Sequence, residues 1–404
     1  MSTLKYWLWL MTRKGVDAQT ALQVLDYFLV PERVYYADAS DYEPVPISGV
    51  AKRGLLDKRL DEADRILGDC ERLGIRILTI QDAEYPQRLK QIAQPPPVLY
   101  IRGRLPRFDE EAAIGVVGAR EPSEYGQRYA QRFGMELAAG GALLVSGIAQ
   151  GVDGHAIRGA LIGGGSVVSL LGGGVDVVYP KQHRGLYEDV AASGALISEY
   201  PPGTPTVGSH FPNRNRIISG LSLGVLAVEC KRRSGTMSTI RHAQDQDRDI
   251  FAVPGSLDAP MSEGTNWLIQ QGAKLVTCGE DILAEYRDLY PLKLNKGLPA
   301  HTVETRLEGL ERHIAPAEAF SEKKQPEQGK NQVIPHSEQK SRFTDDGLAV
   351  LFALQEKSYT IDELVEHTQI PTRRVLSTLT MLQIEGMVEE RSGKRFASLV
   401  TLET

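Results

Sequence analysis

AIGVVGAREPSEYGQRYAQRFGMELAAGGALLVSGIAQGVD, residues 113–153, is the stretch whose pattern decides the fold. It opens on an apolar run, Ala113–Val117, short enough for a strand and stopped by Gly118. A helical stretch, Gly126–Ala139, follows. A second apolar run, Ala142–Val145, ends at Ser146 and Gly147, and another helix begins at Asp153. Both runs are almost wholly apolar instead of alternating. Strands of that kind are covered on both faces, as in a parallel sheet with helical crossovers.

The same pattern continues downstream. Strands are expected at Val167–Leu171, Ala195–Ser198, Gly224–Glu229, Ile250–Val253 and Lys274–Val276. Helices are expected at Asp153–Ile162, Arg184–Ala192, Ser238–Gln246 and Asn266–Gln271. The predicted fold class is α/β, a Rossmann-like core with a mostly parallel sheet. Upstream, Gln94–Pro97 marks a junction before a strand at Val98–Ile101, and the first 85 residues read as short amphipathic helices. One set is Leu4, Trp7, Leu8 and Met11; another is Leu60, Ala63, Ile66, Leu67, Cys70 and Leu73. Residues 291–341 are rich in Glu, Gln, Lys and Pro, which predicts a flexible linker. Residues 342–404 read helix–helix–helix–hairpin, the winged-helix order. Thr360 with Glu363 forms a capping box, Pro371 opens the third helix, and Ser392-Gly393 makes the hairpin turn. Four segments follow: 1–85 helical, 86–290 Rossmann-like, 291–341 linker and 342–404 winged helix.

Composition narrows the function classes. The 404 residues are 42% hydrophobic, enough for a sizeable core, and carry a net charge of −6, so any polyanion must be met by a local basic patch. Cys70, Cys230 and Cys278 are far apart with no CxxC pair, which argues against a disulfide framework or a zinc site and fits a reducing cytoplasm. The histidines form no HExxH set and the carboxylates no acid–base pair. No metal, cofactor or catalytic residue is expected. The longest uncharged stretch, Gly159–Val175, is broken by glycines and is not read as a membrane span.

Candidate binding residues gather at the carboxyl ends of the strands, where α/β sheets hold ligands. Gly118 and Arg120 follow the first strand, with a helix N-terminus open to an anion. Ser146 and Gly147 follow the second; Leu144 occupies the first glycine position of GxSxG, so Ser146 is not a nucleophile elbow. Asp153 is read as a helix N-cap. Gly172 begins a glycine triplet that fails GxGxxG at Val177, with Lys181 just beyond. His210–Leu221 holds Phe211, Arg214, Asn215 and Arg216, an aromatic beside arginines, as single-strand binding requires. From His210 to Arg241, six basic residues stand against Glu229, a local charge of +5. Ser234-Gly235-Thr236 at a helix start makes an anion nest. The competing view places Phe211 in the core and the arginines in internal ion pairs. Two other functions stay open. One is a nucleotide phosphoribohydrolase, for which Arg233–Thr239 lacks the glutamate of PGGxGTxxE. The other is a winged-helix duplex-DNA regulator using Arg373 and Arg374, though Glu385, Glu389 and Glu390 dilute that charge.

VGAREPSEYG, SGIAQGVD, GGGVDVVYP, ISEYPPG, FPNRNRIISGLS, SGTMSTIRHA, DIFAVPGS and GTNWLIQQGAKLV, in this order, resemble the bacterial DprA/Smf family of DNA-processing proteins. The resemblance implies an extended Rossmann core that binds single-stranded DNA, a SAM-like helical module before it and a winged helix after it. It also implies a homodimer, RecA recombinase as a loaded partner, single-strand-binding protein as a further partner, and a role in natural transformation. Gly118, Arg120, Ser146, Gly147, Gly172, Lys181, Phe211, Arg214, Asn215, Arg216, Ser234, Gly235 and Thr236 fall in motifs that line the family's DNA pocket. The family commonly has a histidine four residues after the aspartate of GxD; here that position is Ile157, and His155 lies two residues earlier.

Overall fold

The computed structural model describes residues 3–294, 332–334, 343–384, 387–391 and 395–402. The chain divides into two units, Met1–Ala315 and Pro316–Thr404.

In the first unit the apolar runs pair as a nine-stranded sheet. Its strands are β1 (Arg76–Thr79), β2 (Val98–Gly103), β3 (Ala113–Val117), β4 (Leu143–Ser146), β5 (Val167–Leu171), β6 (Ala195–Ser198), β7 (Gly224–Ala227), β8 (Asp249–Ala252) and β9 (Lys274–Leu275). Their order is β1-β2-β6-β5-β4-β3-β7-β8-β9. The ladders from β6 through β9 are parallel; β2 runs antiparallel to β6, and β1 antiparallel to β2. Strand order reverses at β3, which has β4 on one side and β7 on the other. Ligands of open α/β sheets bind outside the carboxyl ends at such a point.

Five helices precede the core: α1 (Leu4–Met11), α2 (Ala18–Phe28), α3 (Pro31–Tyr36), α4 (Gly49–Leu55) and α5 (Asp61–Leu73). Then come α6 (Gln87–Lys90), α7 (Glu124–Ala139), α8 (Val152–Ile162), α9 (Arg184–Ser193), α10 (His210–Leu221), α11 (Thr236–Asp245), α12 (Glu263–Gln270) and α13 (Glu280–Tyr286). Alternate residues of each strand serve opposite faces. Ile114, Val116 and Leu144 pack with Phe133 of α7, Ile157 of α8 and Trp7–Leu10 of α1. Ala113, Val117 and Val145 pack with Ile217 and Ile218 of α10, Ile240 of α11 and Leu268 of α12. Helices α7 and α8 meet at glycines: a Cβ on Gly134 would lie 2.0 Å from the Ala156 carbonyl oxygen, and one on Gly159 2.0 Å from that of Gln131.

Some elements differ from the sequence pattern. β1 was not expected, and it joins the segment read as purely helical to the sheet through β2. The His210–Leu221 segment, given no secondary structure from the sequence, is a helix. Pro212 sits in the first turn of α10, where its missing N–H has no intrahelical acceptor to lose.

The second unit holds β10 (Gln332–Ile334), α14 (Asp345–Glu356), α15 (Ile361–Thr368), α16 (Thr372–Ile384), β11 (Val388–Arg391), β12 (Arg395–Ser398) and β13 (Val400–Leu402). β11 and β12 pair antiparallel, the expected wing, and the Thr360–Glu363 capping box is present. The turn residues Ser392 and Gly393 lie outside the described residues, as does most of the expected linker. Gln332–Ile334, inside that linker segment, pairs with β13 instead. No helix among the described residues is long and apolar enough to cross a membrane.

Candidate nucleic-acid interface

The loops after β3, β4 and β7 converge beside the start of α10. The loop after β3 is held by Glu229, whose buried carboxylate accepts from Ser123 N (2.8 Å) and Ser123 Oγ (2.6 Å). Ser123 in turn caps α7. The one acid in the basic window is thus a clamp on the loop that carries Arg120. The loop after β4 carries Ile148 at φ 52° and Gly151 at φ 85°. A Cβ on Gly151 would lie 2.3 Å from the Ala119 carbonyl oxygen, so glycine answers both a left-handed turn and a close approach.

Between these loops lies a cavity of about 420 Å³. Its wall includes Gly118, Arg120, Phe211, Arg214, Asn215, Ser234, Gly235 and Thr236, eight of the residues expected from sequence. Lys231, Ser238, Thr239 and Met261 also line it and were missed. Lys231 opens the Lys231–Thr236 stretch of the basic window; the other three carry no signal that marks a wall rather than a helix face.

Phe211 is half-buried at the mouth. The Arg120 guanidinium lies 4.7 Å from its ring centroid, that of Arg214 5.7 Å, and the Tyr179 ring 5.9 Å. Gly172 fits under the ring: a Cβ there would stand 3.5 Å from it. His210 Nδ1 bonds the Gly172 carbonyl (2.8 Å), and the Tyr200 ring stacks on the imidazole at 4.0 Å. These contacts fix where α10 starts and so where Phe211 points.

Arg214 is only 5% exposed. Its Nη1 donates to the carbonyls of Gly147 (2.8 Å) and Leu170 (2.5 Å), and its side chain packs so closely on Gly147 that a Cβ there would meet it at 2.3 Å. Burial pulls this guanidinium below its ordinary pKa, Asp153 opposes that, and Arg120 adds to it. The Asp153 carboxyl is pushed up by burial, with Arg214 drawing it back. Asp153 is not the cap of α8. Gly151 takes that position, and Asp153, in the first turn, accepts from Gly147 N at 3.2 Å, tying down the loop.

The other expected residues lie elsewhere. Ser146 is fully buried and donates to the Val116 carbonyl (2.7 Å), a strand-to-strand tie. Lys181 is exposed in a short turn outside the cavity wall. Arg216 points away from the cavity into a buried ion pair with Glu199. Arginines two apart on a helix face nearly opposite sides. Phe211 stands at the cavity wall and not in the core; Arg216 is in an internal ion pair, as the competing view expected, while Arg214 bonds backbone carbonyls instead.

Helices α8, α10 and α11 begin at this rim with no side-chain cap, on Gly151, Ser209 and Gly235. First-turn amides carry the positive end of the helix dipole, which favours an anion at this rim, although Val152 N, His210 N and Met237 N already bond the Ala119, Val207 and Ser234 carbonyls. Phosphate contact at the amides with an aromatic face alongside is the chemistry of single-strand recognition. Among the described residues no cluster of His, Cys, Asp and Glu could hold a metal ion.

Comparisons with known proteins give the family. A family model for DNA recombination-mediator protein A matches residues 76–287, and one for the DprA winged helix domain matches residues 335–394. Protein Smf of Synechocystis is 30% identical over 401 residues, 97% of this chain and 98% of that protein. DNA processing protein DprA of Streptococcus pneumoniae is 35% identical over 289 residues, 71% of this chain and 99% of that one. The X-ray structure of the S. pneumoniae protein superposes with a TM-score of 0.62 at 33% identity, covering 70% of this chain and 99% of that one. With over half its length in the first of these matches, and with arginine and phenylalanine walling the cavity at the reversal of its sheet, the chain belongs to the DNA recombination-mediator (DprA/Smf) family.

Proposed function

We propose that this chain binds single-stranded DNA through the cavity at β3 and acts without a covalent step, shielding the strand and handing it to RecA recombinase during natural transformation. A cytoplasmic homodimer is part of this proposal, with single-strand-binding protein as a further partner. The observation that carries it is the Arg120–Phe211 stack beside uncapped helix N-termini. Arg120 and the amides of Gly235 and Thr236 take phosphates, and the exposed part of the half-buried Phe211 ring takes a base. Grip on the backbone gives little sequence preference and strong salt dependence.

Fluorescence anisotropy with single- and double-stranded oligonucleotides across a salt series tests it. Tighter binding of single strands is expected. Phe211→Ala costs about 1–3 kcal/mol of that affinity, and Arg120→Ala makes the log–log salt slope shallower by about 0.7. If both variants fold and bind as the unaltered chain does, the cavity is not the site.

A further inference from the structure

The charge excess counted in the sequence separates in the fold. Arg214 and Arg216 turn inward, and Lys231, Arg232, Arg233 and Arg241 remain exposed. These four wall a second hollow of about 740 Å³, with Trp267 and a single acid, Glu263, also in the wall. Lys231 lines both this hollow and the cavity at β3, so the two adjoin at that residue. Along α11, Met237, Ile240, Arg241 and Gln244 recur at helical spacing and present one face to the hollow. That helix has 10 residues. Its length is about 15 Å. The Arg232 guanidinium lies 5.0 Å from the Trp267 ring centroid, a flat cation backed by an indole. A guanidinium plane held in that way is a stacking platform for an unpaired base. The apolar floor is closed, with Met237 9% and Ile240 1% exposed, which gives a protein partner little to anchor on.

We infer that the bound strand leaves the cavity past Lys231 and continues along this groove, with phosphates on Arg233 and Arg241 and a base on the Arg232–Trp267 stack. The inference rests on the single-strand function proposed for the cavity. Both hollows then form one track, and affinity grows with oligonucleotide length beyond what the cavity alone holds.

The test compares the full chain with its Arg232→Ala/Arg233→Ala/Arg241→Ala form, using oligo-dT of about 6 and about 20 nucleotides. The short probe should bind both forms equally. The long probe should bind the variant about tenfold more weakly, with a salt slope shallower by about 1.4, since each of the two single-strand phosphate contacts contributes about 0.7. The corresponding triple Arg→Lys form should keep the slope. Trp7 and Trp9 are 4% and 0% exposed, so a change in tryptophan emission on adding the long probe alone reports Trp267. Unchanged long-probe affinity in the alanine form overturns the track and leaves the groove to an acidic protein segment. Equal loss for both probes also overturns it, since that is damage to the cavity. Failure of the unaltered chain to bind either probe overturns the single-strand function itself, and the track with it.

Discussion

Arg214 and Arg216 carry the clearest lesson at the scale of single residues. In the linear sequence they bracket Asn215 and look like one basic cluster. On a helix they diverge, and each finds a buried partner that no local window contains: the Gly147 and Leu170 carbonyls for one, Glu199 for the other. Glu199 is mostly buried, its side chain 13% exposed, and burial pushes its carboxyl up, with Arg216 pulling against it. Arg216→Ala therefore strands a buried carboxylate and should cost about 3–5 kcal/mol of stability. Urea unfolding checks this, and the double variant Arg216→Ala/Glu199→Leu should recover part of the loss. A single variant as stable as the parent would show that the pair does not hold α10. The residues legible from sequence were those whose backbone demands are local. Gly118, Gly172 and Gly235 mark strand ends and helix starts whatever their neighbours do. Burial and side-chain direction at 214–216 depended on knowing that the segment is helical.

At the scale of elements, α7 and α8 pack so closely that two glycines touch the opposing backbone. Gly159→Ala should overpack that contact at a cost of about 1–3 kcal/mol, read as a lower denaturation midpoint; no change would mean the helices slide apart freely. The loop after β4 adds a dependence on pH. His183 Nδ1–H donates to the Ile148 carbonyl (3.0 Å), and burial lowers its pKa below the usual 6.5, the hydrogen bond opposing. The folded value lies below the unfolded one, so the stabilisation is present above 6.5 and is lost as pH falls through the window beneath it. Melting temperature should drop between about pH 7 and about pH 5, and His183→Gln should flatten that drop. Equal slopes in the two chains would remove His183 from the account. The apolar strands β3 to β8 were visible in sequence because burial on both faces leaves a continuous apolar run. β1 was not, since Arg76 and Thr79 bracket only two apolar residues right after a helix.

For the whole molecule, the two units make separable predictions. A chain ending at residue 294 keeps the sheet, both hollows and α13, so it should unfold cooperatively and retain the single-strand affinity of the full chain. A large loss, measured by the same anisotropy titration, would assign the winged helix a direct part in gripping DNA. In that module Arg374 is engaged by Asp346 and Arg395 by Glu363, so two of its arginines already have acidic partners. Module order was legible because helix-period and strand-period runs occupy different stretches. The partnership of the N-terminal helices with the sheet was not, because it rests on packing of Trp7–Leu10 against strands a hundred residues away.

The position of β2 has a bearing on how the chain is made. Its neighbours are β1, synthesised just before it, and β6, synthesised only after three other strands and three helices have left the ribosome. Until then the pair of β1 and β2 leaves the β2 edge unpaired, lined by Val98–Ile101, all of them buried in the finished protein. An unpaired apolar edge invites association with other chains. Nascent molecules stalled before Ala195 should be the aggregation-prone species, and the ones a chaperone protects.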